Sequence, residues 1–282
     1  MTADDMRASG LKVNDAYVAV PTLVVPGTSI SFAEIEEYLE WLLDHGYPVV
    51  SIENPIGGPL DTGINPKLER PLVLEHFLDY LQNQSPEKVK KVIGLFQSYA
   101  AFDVIRLISK NPPKFKNFMP VFFLDNPVGF NGAISIVAHV LRWQFMHVGI
   151  GLVKQVLNRF WGGAFPLPRG DAARDDYRRR ELHDLWVWWK NTLKNPVRGG
   201  IRELLDICRY RAEEDMQKIL KAGYEVGMFK HAGDQLLPIQ QTLKYAQNLF
   251  TDKLVILDGG HNDLFIQPKN RKQIADTMYI EK

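Results

Sequence analysis

Runs rich in β-branched and aromatic residues, Tyr17–Val25, Tyr47–Ile52, Val89–Phe96, Phe118–Leu124, Tyr224–Phe229 and Leu254–Leu257, alternate along this chain with segments of helical periodicity. That alternation constrains the fold more than any other feature. Consecutive strands separated by helices pair in parallel, and a parallel sheet must be covered on both faces. The fold class is therefore α/β, with a mostly parallel sheet flanked by helices. The first helix is delimited by a capping box, Ser31 with Glu34 three residues on, and by Gly46 at its end, with Ile35, Leu39 and Leu42 on its apolar side.

The rhythm breaks between Gly129 and Gly223, a stretch longer than a crossover needs. Within it Ile134, Ala138, Leu141, Phe145, Val148, Leu152 and Val156 recur at helical spacing, while Ile136, Val140, Trp143 and Ile150 cover another face. A helix apolar on several sides is buried on several sides or lines an apolar cavity. The expected organisation is a core over 1–128, a helical cap insertion over 129–223, and the rest of the core over 224–282. Five of the six tryptophans, Trp143, Trp161, Trp186, Trp188 and Trp189, fall in the insertion. They either line a pocket under the cap, fill the cap's own core, or form a homodimer contact.

Bulk properties narrow the function classes. With 282 residues, 45% of them hydrophobic and 24% charged, the chain can bury a large core. Its 34 basic and 33 acidic residues nearly cancel, so no global field draws it to nucleic acid or to an acidic membrane surface. A small neutral partner is the better expectation. The single cysteine, Cys208, excludes an internal disulfide framework, and the charged start has no signal-like apolar stretch, which points to a cytoplasmic setting. The uncharged runs 126–141 and 143–153 are each shorter than the ~20 apolar residues of a membrane span, and Asn131, His139, Arg142 and His147 interrupt them. No metal spacing is present, since His139 and His147 would stand ~12 Å apart along a helix. Gly57-Gly58 lacks the pattern of a phosphate loop, and nothing calls for a cofactor.

Chemistry in open α/β sheets gathers beyond the carboxyl ends of the strands. Three segments lie there. The apolar run 92–96 meets Gln97-Ser98-Tyr99-Ala100-Ala101 and then a helical stretch, so Ser98 sits on a tight strand-to-helix turn near the positive end of a helix. Such a serine is either a helix cap or a nucleophile. Past the fifth strand come Lys230-His231-Ala232-Gly233-Asp234, and past the sixth Asp258-Gly259-Gly260-His261-Asn262-Asp263. For an acid that orients His261, Asp234 is preferred over Asp258, Asp263 and Asp125. The other histidines, His139, His147, His183 and His231, read as ordinary core or surface residues.

The order Ser98, Asp234, His261 resembles the nucleophile, acid and histidine order of the α/β-hydrolase family, and the resemblance extends over nearly the whole chain. Val24-Val25-Pro26-Gly27-Thr28 resembles the family's oxyanion loop, Tyr47 to Gly58 its next strand and Pro-Gly turn, Gly233-Asp234 through Pro238 its acid loop, and Gly260-His261 its histidine loop. The resemblance implies a Ser98-His261-Asp234 triad with an oxyanion hole formed by the backbone N–H groups of Thr28 and Tyr99. It also implies acyl transfer from an ester or thioester of a hydrophobic acid to water, with Trp143, Phe145 and Phe96 against the acyl chain. Serine at the elbow argues against the dehalogenase and epoxide hydrolase branches. Carbon–carbon bond hydrolysis by the same triad stays open, as does a catalytically silent module that holds an apolar ligand. Two positions depart from the family's G-x-S-x-G elbow: Phe96 and Ala100 stand where glycines are usual, and Pro26 replaces a histidine common in the oxyanion loop.

Overall fold

The computed structural model describes residues 20–27, 30, 32–52, 66–83, 89–130, 190, 193–194, 200–234, 237, 239–246, 249–250 and 253–279. Strands β1 (Thr22–Val25), β2 (Val49–Ser51), β3 (Ile93–Gln97), β4 (Val121–Asp125), β5 (Glu225–His231) and β6 (Leu254–Leu257) form one sheet in the order β2-β1-β3-β4-β5-β6. Every pairing is parallel. β3 and β4 are buried along their whole length, the pattern of strands covered on both faces. The described strands are shorter than several of the expected runs, because flanking residues such as Val89 and Tyr47 pack against the core without pairing.

Eight helices occur among the described residues: α1 (Phe32–Asp44), α2 (Pro66–Asn83), α3 (Ala100–Lys110), α4 (Gly200–Arg209), α5 (Glu213–Lys221), α6 (Ile239–Ala246), α7 (Asp263–Ile266) and α8 (Pro268–Tyr279). Their apolar faces make two core layers. On one side of the sheet Leu74 and Leu78 of α2, Val104 and Ile108 of α3, and Met216 and Ile219 of α5 pack with Phe96, Phe122 and Met228. On the other, Ile35, Tyr38 and Leu42 of α1 and Ile274 and Met278 of α8 pack with Val24, Leu95 and Phe229. α1 ends as its sequence dictates, with Gly46 at φ 79°; Ser31, the expected cap, lies outside the described residues.

The chain leaves β1 outward to β2, then returns to place β3 on β1's other side. The crevice where the order reverses therefore lies between the carboxyl ends of β1 and β3, where a parallel sheet accepts ligands. Of the segment expected as a cap, 131–189 lies outside the described residues. At its described end, α5 packs on α3 and puts Met216 and Ile219 into the same core layer as Phe122. Among the described residues no helix is long and apolar enough to cross a membrane.

Candidate active site

Ser98 stands between β3 and α3 with φ 53°, a left-handed conformation that costs a non-glycine residue on the order of 1–2 kcal/mol. Hydrogen bonds hold it there. Its amide donates to the Asp125 carbonyl (2.8 Å), and its own carbonyl accepts from the amides of Ala101 (3.2 Å) and Val128 (3.4 Å). The turn aims the hydroxyl out of the sheet edge, where the Oγ lies 2.9 Å from Nε2 of His261. The imidazole's Nδ1 lies 2.9 Å from Oδ2 of Asp234. Ser98, His261 and Asp234, named from three separate strand ends, are thus brought into one hydrogen-bonded line.

The elbow carries no glycine at the positions flanking Ser98, and the structure displaces that requirement by two residues. Phe96 is fully buried, edge-on to Phe122 with ring centroids 6.0 Å apart. It fits because Gly94 has no side chain: a Cβ there would overlap the Phe96 ring. Its ring is taken up by the core layer that holds Leu124 and Met228. Ala100 is fully buried and small enough for α3 to start directly at the turn.

Each loop around the serine has its own fastening. Gln97 is buried and divides its amide between two loops: Oε1 accepts from the Gly27 amide (2.8 Å) and Nε2 donates to Asn262 Oδ1 (3.0 Å). Gly27 must be glycine, because a Cβ would lie 2.8 Å from the Ser98 Cβ and would overlap the Gln97 amide. The acid loop is tied to the histidine loop by Ala232 N–H to Leu257 O and Gly233 N–H to Gly259 O, both 2.8 Å. Thr28, Trp143 and Phe145 lie outside the described residues. Tyr99 follows Ser98 at the head of α3, where first-turn amides lack intrahelical acceptors. Its side chain points away from the serine: the hydroxyl donates to Asp206 of α4 (2.6 Å) and the ring lies under the Arg70 guanidinium (4.7 Å).

The four candidate acids separate by partner. Asp258 is paired with Lys269 at the surface (2.7 Å), and Asp263 accepts from the Gly260 amide (2.9 Å) and from Gln267 (2.6 Å), which shapes the histidine loop. Asp125, at the end of β4, faces His231 (3.1 Å). Only Asp234, among these, faces His261. Its Oδ1 accepts from the Leu237 amide (2.9 Å), while Oδ2 is shared between His261 and the Lys230 ammonium at 2.5 Å. Burial would raise the Asp234 carboxyl, but His261 and Lys230 outweigh it and hold it well below the usual range. It is ionised at neutral pH.

Sequence reasoning missed Lys230, Asn126 and Gln97. Lys230 has no exposed surface, and its Nζ also donates to Asn126 Oδ1 (3.1 Å). Asn126, at φ 44°, donates in turn to the His261 carbonyl (2.8 Å) and accepts from the His231 amide (3.0 Å). The expected fifth strand ends at Phe229, so Lys230 reads as a lysine past its end, whereas β5 runs on to His231 and buries it. Chemically, the line Ser98–His261–Asp234 can take a proton from a hydroxyl onto an imidazole whose positive charge a carboxylate then balances. Among the described residues no cluster of His, Cys, Asp or Glu could hold a metal.

No family model and no curated protein matches this chain. Solved structures do. A carboxylesterase from Nitrososphaera gargenis is similar at TM-score 0.61 and 14% identity, over 90% of this chain and 88% of that one. A bromoperoxidase from Bacillus anthracis is similar at 0.62 and 14%, over 92% and 91%. An alpha/beta hydrolase fold protein from Burkholderia ambifaria is similar at 0.52 and 17%, over 91% and 88%. With the strand order, the left-handed serine after β3 and matches across nine-tenths of the chain, the protein has the α/β-hydrolase fold.

Proposed function

We propose that this protein is a serine hydrolase that cleaves an ester or thioester of a hydrophobic acid. The observation that carries this reading is the unbroken line from the strained Ser98 hydroxyl through His261 to a buried, ionised Asp234, with both links at 2.9 Å. Ser98 Oγ attacks the acyl carbon while its proton passes to His261 Nε2. Asp234 keeps the ring's other nitrogen protonated and balances the imidazolium. The backbone N–H groups of Tyr99 and Thr28 receive the developing oxyanion. As the tetrahedral adduct collapses, His261 returns the proton to the departing alcohol or thiol. Water then repeats the cycle on the acyl-enzyme and releases the acid. The carboxylesterase among the structural neighbours supports the ester class as an analogy of fold.

A fluorophosphonate probe tests the reaction class, because it labels an activated serine and spares an ordinary one. Wild type is expected to be labelled and Ser98→Ala is not; a folded wild type that stays unlabelled removes the enzyme reading. The acyl pocket is tested with p-nitrophenyl esters of increasing chain length. If Trp143 and Phe145 line it, each added CH₂ improves kcat/KM by up to about fourfold, from ~0.8 kcal/mol of burial, until the pocket is full. Trimming those two side chains should flatten the profile. A flat profile in wild type would remove the hydrophobic acyl pocket.

A further inference from the structure

Lys230 is a lysine with no exposed surface, at the end of a buried strand, 2.5 Å from the carboxylate oxygen that also receives His261. Burying an ammonium costs several kcal/mol unless it is paired and hydrogen-bonded. A leucine or methionine would fill the space without that cost. The pairing is specific: Lys230 touches Asp234 Oδ2 and Asn126 Oδ1, and Asn126 grips the His261 carbonyl. The lysine thus lies in a closed circuit with both the acid and the backbone of the base.

Resting on the hydrolase reading above, we propose that Lys230 is a positioning residue of the relay, which locks Asp234 in its ionised form and offsets part of its charge at His261. Two nitrogens bound to one carboxylate oxygen lie within the roughly 4–6 Å over which a neighbouring charge moves a titration by a unit or more. Asp234 alone favours a protonated His261, which cannot act as a base. With Lys230 on the same oxygen, the acid still fixes the ring's tautomer but stabilises imidazolium less. The other charged groups facing this site are Asp125 and His231, paired at the ends of β4 and β5, and Asp263 on the histidine loop, engaged with Gly260 and Gln267.

Lys230→Met removes the charge at similar volume, and Lys230→Gln removes the charge but keeps a donor for Asp234 or Asn126. The pH profile of fluorophosphonate labelling is the primary measurement. In both variants the pH of half-maximal labelling should move up by about one unit. The plateau should fall several-fold in Lys230→Met and less in Lys230→Gln. A purely structural lysine would scale the plateau and leave the profile in place, so superimposable or downward-shifted profiles overturn the proposal. Wild type that is folded but unlabelled would defeat the hydrolase reading instead. The same comparison then runs on the His261 ring, titrated by NMR in selectively labelled Ser98→Ala protein, with and without Lys230→Gln; an unmoved midpoint overturns the coupling independently of activity. Unfolding of both replacements would assign Lys230 to stability alone and also overturn it.

Discussion

Two carboxylate–imidazole pairs lie at neighbouring strand ends: Asp234 with His261 at 2.9 Å, and Asp125 with His231 at 3.1 Å. Their environments differ. His261 is 12% exposed and its second nitrogen meets a hydroxyl, whereas His231 and Asp125 have no exposed surface. Among the described residues, His231 Nδ1 and Asp125 Oδ2 have no hydrogen-bond partner. A proton that leaves His261 has somewhere to go; one on His231 does not. The same residue types therefore make a relay in one place and a buried strut in the other, and the difference lies in what the far side of the ring touches.

The sharpest way to break this comparison is to remove the relay's ends. Ser98→Ala and His261→Ala should each abolish at least roughly 10⁴-fold of turnover, and the double variant should be scarcely worse, because such residues act as a unit. His231→Gln should keep most of its activity. Steady-state kinetics on a p-nitrophenyl ester checks all four proteins. A loss in His231→Gln as deep as in His261→Ala, with the fold intact, would erase the distinction.

The acids give the next largest contrast. Asp234→Asn should lower kcat by roughly 10³–10⁴-fold, since the amide can no longer enforce the tautomer, and should also lower Tm, since it leaves the buried Lys230 ammonium without its carboxylate. Asp125→Asn should spare kcat within about tenfold. It should instead lower Tm by several degrees, because removing one member of a buried pair leaves the other poorly satisfied. Circular dichroism melts alongside kinetics separate the two. If Asp125→Asn proves the more damaging to kcat in a folded protein, the acid assignment moves to β4.

How far these distinctions could be read from residues alone follows from the range over which each signal acts. Alternating strand and helix patterns are local, so the parallel sheet was legible, and a serine or histidine just past an apolar run marks a strand end. Partner choice is not local. Asp125 and Asp234 both follow strands, and which of them meets His261 depends on the packing of loops 27 residues apart in one case and 136 in the other. The room for Phe96 at the elbow was illegible for a related reason: the glycine that makes it is Gly94, on the same strand and two residues away, where the elbow pattern does not look. Lys230 reads from sequence as a surface lysine until the sheet shows β5 to be interior.

A smaller effect is expected from Gln97, which serves the relay without joining it. Gln97→Ala removes the bonds to Gly27 and Asn262 and frees both loops that flank Ser98. Small displacements of a catalytic group cost roughly 10- to 100-fold. The loss should fall on kcat with KM nearly unchanged, as binding surfaces elsewhere are untouched. Gln97→Glu should fall between wild type and alanine, because a carboxylate can still accept from the Gly27 amide but cannot donate to Asn262. A Gln97→Ala enzyme with full kcat would mean that the loops hold themselves.

The smallest expected effect concerns how each pair contributes to stability with pH, and here the two pairs should oppose each other. Burial disfavours charge on His231, but Asp125 outweighs that and raises its titration above the ordinary 6.5. A group raised in the folded state contributes stability that is fully present below its unfolded value and lost as pH rises through its folded value. The His231 contribution should therefore fade as pH climbs from 6.5. Asp234 is held low, so its contribution is present at all pH above its unfolded value of 3.8 and is lost only on acidification through its folded value. Urea melts at pH 6 and pH 8.5 should then show a modest loss of stability at the higher pH in wild type. Asp125→Asn removes the charge that raises His231, so in that variant the loss should shrink toward zero, while Ser98→Ala should retain it. If wild type is as stable at pH 8.5 as at pH 6, or if Asp125→Asn shows the same fall, His231 carries no charge when folded and the strut is held by a neutral hydrogen bond.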